Sequence, residues 1–124
     1  MTYTNVFSSF STSDMDATEA FYRDTVGLTV NKLEEMGLLE ISLDATHSIM
    51  VYPKDDHQPA VFTVLNLVVS DVVVARDELA GKGVEFDNFG MNVDDQGMPT
   101  NEHGGPRVTW FRDPAGNIVA LMEE

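Results

Sequence analysis

The chain closes on the stretch Phe111-Arg112-Asp113-Pro114-Ala115-Gly116-Asn117, which is followed by the apolar run from Ile118 to Met122. Asp-Pro-Ala-Gly has the composition of a tight turn. Asp suits the first position, Pro presets φ at the second, and Gly accepts the left-handed conformation at the fourth. The apolar runs on either side, 108–111 and 118–122, therefore predict two antiparallel strands joined by this turn.

The composition predicts one globular domain. A chain of 124 residues is long enough to bury a core of its own, and no apolar run approaches the length needed to cross a membrane. Residues 1–5 carry neither a basic patch nor an apolar segment, so we expect no signal peptide. The chain has no cysteine, which excludes disulfides and thiolate metal sites and makes a cytoplasmic location the expectation.

The net charge is −14, from 21 acidic and 7 basic residues. Nucleic acid is excluded as a partner, because phosphate contacts require clustered Lys and Arg. The same field would attract a cationic ligand. Solubility or a salt-rich cell explains the acidity more simply than a cationic ligand does, so charge by itself does not decide the function.

The first half of the chain predicts one strand, one helix and three further strands. Residues 5–12 mix β-branched, aromatic and hydroxyl side chains and predict the first strand. A helix follows, capped by Ser13 or Asp14 and ended by Gly27. Its predicted buried stripe consists of Ala17, Ala20, Phe21 and Thr25. Strands are predicted at 28–34, 38–43 and 47–52, and the polar segment 54–59 predicts a linker.

The second half repeats this order. A strand is predicted at 62–70, a helix from Asp71 to about Lys82, and a further strand at 84–89 before the terminal hairpin. Ser13-Asp14 and Gly27-Leu28 recur as Ser70-Asp71 and Gly83-Val84, which indicates a duplicated module. We therefore expect an α+β chain of two βαβββ modules, 1–57 and 58–124, with one strand of the second module short or hidden in the loop.

The closing motif, an aromatic residue, one further residue and then Asp113-Pro114-x-Gly116-Asn117, resembles the end of the vicinal-oxygen-chelate superfamily. This superfamily contains glyoxalases, extradiol dioxygenases and bleomycin-resistance proteins. Phe21-Tyr22-Arg23-Asp24 followed by Gly27-Leu28 is similar to the superfamily's first helix and its exit. The resemblance implies paired modules whose sheets curl around a concave pocket, and it also implies a homodimer.

In the superfamily's enzymes, a divalent metal is held by His and Glu, one from each of four strands. Aligned on the repeat, three of these positions fall on Phe7, Val64 and Ala120, and the strand 47–52 contains no carboxylate. Apolar side chains cannot ligate a metal ion. The resemblance therefore implies a member without the usual metal site, and we expect no metal and no cofactor.

The remaining polar candidates are sparse. His47, His57 and His103 show no local spacing typical of a ligand pair and are expected to be surface or hydrogen-bonded histidines. Glu102 and His103 are weak candidates for a catalytic base. The segment 90–106 is long for a loop, and its residues alone favour a pocket-lining loop and a mobile excursion equally. The family resemblance implies the pocket-lining loop.

These features favour a metal-free small-molecule binding protein, similar to bleomycin-resistance proteins, which would hold a cationic, aromatic compound. The predicted pocket residues were chosen by strand face and by proximity to the superfamily's metal positions: Phe7, Ser9, Met50, Tyr52, Val64, Asn66, Trp110, Ala120 and Met122. For Trp110 the sequence leaves two roles open, a stacking platform or a core residue.

Two other functions stay open at this point. One is a metal-dependent lyase or dioxygenase with a displaced metal site, or an isomerase-like enzyme that uses Glu102 and His103. The other is a regulatory or structural domain whose pocket has collapsed and which binds a partner.

Overall fold

Each half of the chain contains a strand, a helix and three further strands. The computed structural model describes residues 1–100 and 104–124 and forms two units, Met1–Gln58 and Pro59–Glu124. In the first unit the elements are β1 (Ser8–Thr12), α1 (Met15–Ala20), β2 (Thr29–Leu33), β3 (Leu38–Ser42) and β4 (Ser48–Pro53). In the second they are β5 (Thr63–Val69), α2 (Val72–Gly81), β6 (Phe86–Asp87), β7 (Val108–Arg112) and β8 (Ile118–Glu123).

The two sheets share one topology. The strand order is β1-β4-β3-β2 in the first unit and β5-β8-β7-β6 in the second. In both, the strand before the helix pairs in parallel with the last strand of the unit, and the other pairs are antiparallel. The predicted α+β fold of two βαβββ modules is therefore confirmed.

Two predicted strands are at least three residues longer than the observed ones. The first was expected at 5–12, but pairing begins at Ser8, opposite Ile49 near the start of β4. The strand expected at 84–89 is reduced to β6, Phe86–Asp87, which pairs with β7. It cannot continue because Phe89 has a φ of +52°, which lies outside the extended region. This is the short strand that the repeat required.

The buried stripe predicted for the first helix was wrong. The fully buried side chains are Thr18 and Tyr22, whereas Ala20 is exposed and Ala17 is half-buried. The helix widens into a π-helical turn at Phe21–Thr25, in which Val26 N donates to the carbonyl of Phe21. A π-helical turn contains more residues than an α-helical turn, so the face read from a 3.6-residue period shifts.

The closing turn has the structure that its residues predict, and it also binds a second segment. The Asp113 side chain is buried, and its Oδ1 accepts hydrogen bonds from the backbone N–H groups of Ala115 and Asn117, at 2.9 Å each. The Asn117 Oδ1 accepts from Ala60 N at 3.2 Å. The hairpin between β7 and β8 therefore fixes the start of its own unit.

We expect Gly116→Ala to destabilise the protein by about 2–3 kcal/mol. Gly116 has a φ of +83°, and an added Cβ would lie 3.0 Å from two carbons of Pro59. The cost combines a left-handed backbone with local overpacking, each about 1 kcal/mol or more. Gly27→Ala is the matched control, because Gly27 has a φ of +87° and open space around it. Urea unfolding should give the larger loss for Gly116→Ala; equal losses would contradict the Pro59 contact.

The described part of the long loop is ordered by its own polar contacts. The Asp94 Oδ1 accepts from the backbone N–H groups of Gln96 and Met98, at 2.8 and 3.0 Å. Met98 is fully buried, and Val93 and Pro99 form an isolated β-bridge. These hydrogen bonds hold the pKa of Asp94 below its usual value. Residues 90–100 therefore form a structured loop.

Glu123 joins the last strand to the second helix and to Arg107. Its carboxylate lies 2.9 Å from the Arg107 guanidinium and accepts a hydrogen bond from Val72 N at 3.1 Å, at the start of α2. The hydrogen bond from Arg107 and, next, that from Val72 lower the pKa of Glu123. A carboxylate with a lowered folded-state pKa stabilises the fold above its unfolded pKa, and this contribution disappears as the pH falls through the folded value.

We therefore expect the urea midpoint to fall between about pH 5 and pH 3, because Glu123 and Asp94 both have lowered pKa values. The measurement is a series of urea unfolding curves from pH 7 to pH 3. Glu123→Gln should be less stable at pH 7 and lose less on acidification. If the stability of this variant followed the wild-type pH profile, the ion pair of Glu123 with Arg107 would not contribute to the pH dependence of stability.

In the part of the chain that the structure describes, no helix is long and apolar enough to span a membrane.

Candidate functional site

Alternation along the strands gives each sheet two different faces. In the first unit, Phe10 and Thr12 point towards the helix: the Phe10 and Tyr22 rings lie 6.1 Å apart, and the Thr12 hydroxyl is 2.8 Å from that of Thr18. Ser9 and Ser11, which alternate with them along β1, lie on the other face. We call this other face of each sheet, opposite the helix of its own unit, the open face.

On the open face of the first sheet, four side chains lie in one row across the strands. The pairing places Ser9 beside Met50, Met50 beside Glu40, and Glu40 beside Asn31. The Asn31 Nδ2 donates to the Glu40 Oε1 at 3.2 Å. A thioether thus lies next to a carboxylate in the middle of the sheet. The row offers adaptable apolar surface together with one negative charge.

The second sheet carries the corresponding row. Asn66 pairs with Ala120, Ala120 with Trp110, and Trp110 with Asp87. Because the strand orders correspond, Ser9 is the repeat equivalent of Asn66, and Met50 is the equivalent of Ala120. No metal ligand could be identified from sequence in the strand 47–52. The structure places Met50 of this strand at the position that corresponds to Ala120 in the second sheet.

The side chains at the expected metal positions do not fit a divalent ion. Phe7 is exposed just before β1, Val64 is half-buried on β5 beside an irregularity in register, and Ala120 is buried. Met50 adds only a soft thioether, whereas His nitrogen and carboxylate oxygen suit Zn²⁺, Fe²⁺ and Mn²⁺. Residues 1–100 and 104–124 contain no group of three or more His, Cys, Asp or Glu arranged to hold a metal ion.

An aromatic corner stands at one end of the second row. The Phe89 ring meets Trp110 edge-on, with centroids 5.5 Å apart and planes at 74°. The Arg112 guanidinium lies 5.5 Å from the Phe89 centroid and 3.5 Å from the Asp87 carboxylate, and Asp87 Oδ1 also accepts from Phe89 N. Phe89 keeps a left-handed backbone that non-glycine residues rarely adopt, and such backbone strain clusters at functional sites.

The structure distributes the predicted pocket residues over both sheets. On the open face of the first sheet lie Ser9, Met50 and Tyr52, and Tyr52 pairs with Ser11, whose hydroxyl is 2.6 Å from His57 Nδ1. On that of the second lie Asn66, Ala120, Trp110 and Met122. Trp110 is half-buried, while its neighbours Thr109 and Phe111 are buried on the helix face. The sequence-predicted alternation at this position is confirmed.

Sequence reasoning missed Asn31 and Glu40 in the first row, Asp87 in the second, and Phe89 in the aromatic corner. Glu40 could have been found from its alternation with Leu39 and Ile41, which marks it as an open-face residue of β3. No periodic signal marks Asp87 or Phe89, because β6 has only two residues. The weak catalytic candidates Glu102 and His103 lie outside the described residues.

The sequence profile of the Glyoxalase/Bleomycin resistance protein/Dioxygenase superfamily matches residues 6–121. None of the curated protein sequences matches the chain. Among solved structures, TnmS3, an antibiotic binding protein from Streptomyces sp. CB03234, is 24% identical with a TM-score of 0.71, over 99% of this chain and 98% of that one.

Two further solved structures show the same fold. A putative glyoxalase family protein from Bacillus anthracis is 20% identical with a TM-score of 0.70, over 100% of this chain and 98% of that one. The fosfomycin resistance protein FosX from Listeria monocytogenes is 15% identical with a TM-score of 0.71, over 100% of this chain and 95% of that one. With a profile match across nearly all of its length and two βαβββ modules, this chain belongs to the glyoxalase/bleomycin resistance/dioxygenase superfamily.

Proposed function

We propose that this protein binds and sequesters a small organic molecule without a metal ion, and that the ligand has an aromatic ring and a positive charge. The open face of each sheet offers contact surface for such a ligand. No bond is made or broken in this function. Affinity comes from apolar area removed from water and from charge complementarity.

The observation that carries the proposal is the chemistry of the two open-face rows. In these rows Met50 and Ala120, a thioether and an apolar side chain, stand at two of the positions expected for metal ligands, and Trp110 and Met50 provide contact surface. A planar ligand ring can stack on the indole face of Trp110. The Phe89 ring, which meets the indole edge-on, borders this stacking surface.

The charges of the rows favour a cation. Glu40 lies beside Met50 in the first sheet, and Asp87 lies beside Trp110 in the second. Asp87 is partly neutralised by Arg112, whereas the side-chain partner of Glu40 is the neutral amide of Asn31. The net charge of −14 raises the local concentration of any cationic ligand.

Two structural neighbours support a small-molecule ligand. TnmS3 is an antibiotic binding protein, and FosX is a fosfomycin resistance protein. At 24% and 15% identity they share the fold, and the ligand of this chain has to be found by experiment. We propose a homodimer, as the superfamily resemblance implies, and a cytoplasmic location in keeping with the absence of cysteine.

Tryptophan fluorescence gives a direct test, because Trp110 is the only tryptophan of the chain. We would titrate the protein with a panel of cationic aromatic natural products and with uncharged compounds of the same ring systems. The proposal predicts saturable quenching or a wavelength shift, stronger for the cations. Binding of the cations with no change in Trp110 emission would place the ligand elsewhere. Conversion of the compounds to new products would favour the enzyme alternative.

A further inference from the structure

A groove lies in the first unit between α1 and the turn that joins β2 to β3. Its volume is about 380 Å³. Residues of α1 form one wall, and Lys32 and Leu39 line the groove from the helix face of the sheet. Leu33 and Leu38 line it at the turn end of the β2–β3 pair, next to the open face. The turn contributes Glu34 and Gly37.

Aliphatic side chains provide most of the groove's contact surface. Met15 comes from α1, and Leu33 and Leu38 face each other across the β2–β3 pair; all three are half-buried. Leu39 is buried. Apolar surface that stays partly exposed in a concavity gains free energy when a ligand excludes water from it. A volume of this size suits a small molecule, since ligand pockets span roughly 300–1,000 Å³.

The rim of the groove is acidic. It carries Asp16, Glu19 and Glu34 against a single cation, Lys32. Glu19 is already paired with Arg23 at 2.8 Å. Within residues 1–100 and 104–124, the side chains of Asp16 and Glu34 make no hydrogen bond or ion pair. Their carboxylates are therefore available to a ligand that enters the groove.

From this combination we propose a second binding site, one that takes a small organic cation with an apolar body, such as an aryl-substituted ammonium ion. The apolar body packs on Met15, Leu33 and Leu38, and the cationic head lies at the rim near Asp16 and Glu34. An anion is repelled by the rim, and a neutral analogue lacks the attraction. This inference does not depend on Met50 or Trp110, the contact residues of the proposed function, because neither lines the groove.

The test uses benzyltrimethylammonium, with benzyl alcohol as its neutral counterpart, followed in ¹H–¹⁵N correlation spectra of the full chain. We expect saturable shifts at the amides of Leu33, Gly37 and Leu38, with weaker binding of benzyl alcohol. The double variant Asp16→Asn/Glu34→Gln should raise the Kd of the cation at least fivefold. The matched control, Asp24→Asn/Glu35→Gln, removes two exposed charges of the same unit outside the groove and should change the Kd less than twofold.

Three results would overturn the proposal: no saturable shift in the groove, equal weakening by both double variants, or equal affinity for the alcohol and the cation. Equal weakening would mean that overall charge, rather than the rim, attracts the ligand. Shifts confined to Met50 or Trp110 would also reject the groove, and they would support the open faces instead. Shifts in the groove without any at Met50 or Trp110 would support the groove and count against the open faces for this cation.

Discussion

Replacement of Trp110 by alanine should weaken binding of the aromatic ligand between tenfold and a hundredfold, about 1.4 to 2.8 kcal/mol. The substitution removes the ring that lies in the centre of the second row, between Ala120 and Asp87. It also leaves the Phe89 ring without its edge-on partner. Isothermal titration calorimetry is the appropriate measurement, because the variant has no tryptophan emission.

Two companion variants make this result interpretable. Trp110→Phe keeps an aromatic face and should recover part of the affinity. Val74→Ala removes an exposed apolar side chain from α2, in the same unit and away from the open face, and should bind like the wild type. If Trp110→Ala bound the ligand with wild-type affinity while remaining folded by circular dichroism, the aromatic corner would not be the binding surface.

Replacement of Asp113 by alanine should cost about 2–4 kcal/mol of stability and lower the Tm by roughly 10 °C. The Asp113 Oδ1 accepts from Ala115 N and Asn117 N, and Oδ2 accepts from Asn117 Nδ2 at 3.3 Å. Each buried donor left without its acceptor costs about 1–3 kcal/mol. Because Asn117 also accepts from Ala60 N, the damage should extend to the beginning of β5. Thermal and urea unfolding measure the loss.

The control for this variant is Asp95→Ala, which removes an exposed aspartate from the structured loop. Its side chain makes no hydrogen bond or ion pair in the described ranges, 1–100 and 104–124, so the change should stay within about 0.5 kcal/mol. Equal losses for the two variants would show that charge removal, rather than the turn, determines the effect. Hydrogen exchange at Ala60 would show whether the damage extends to the start of the unit.

The fold could be predicted from sequence because its signals are local and occur twice. The Asp-Pro-Ala-Gly turn specifies a hairpin, and the Ser-Asp and Gly positions around each helix give the module boundaries. Pairing between β1 and β4, or between β5 and β8, joins residues about 40 to 55 positions apart in the chain and has no local signal. The structure provides both the parallel pairing and its register.

The details that sequence could not provide depend on register and on unusual backbone. Met50 could be placed opposite Ser9 and beside Glu40 only once the strand order was known. Phe89 gave no sign of its positive φ, since glycine and asparagine are the usual residues there. The buried Met98 lies in a loop without periodicity, where no pattern separates a core side chain from an exposed one.

Metal content most directly tests the central claim, that this member binds its ligand without a metal ion. We would measure the metals in protein purified without chelator, and the change in Tm on addition of Zn²⁺, Ni²⁺, Mn²⁺ and Fe²⁺. A metal that binds only the native state must raise its stability by mass action. We predict well under one metal per chain and no significant Tm shift. Near-stoichiometric metal with a clear shift would contradict the claim and favour a metal-dependent lyase or dioxygenase.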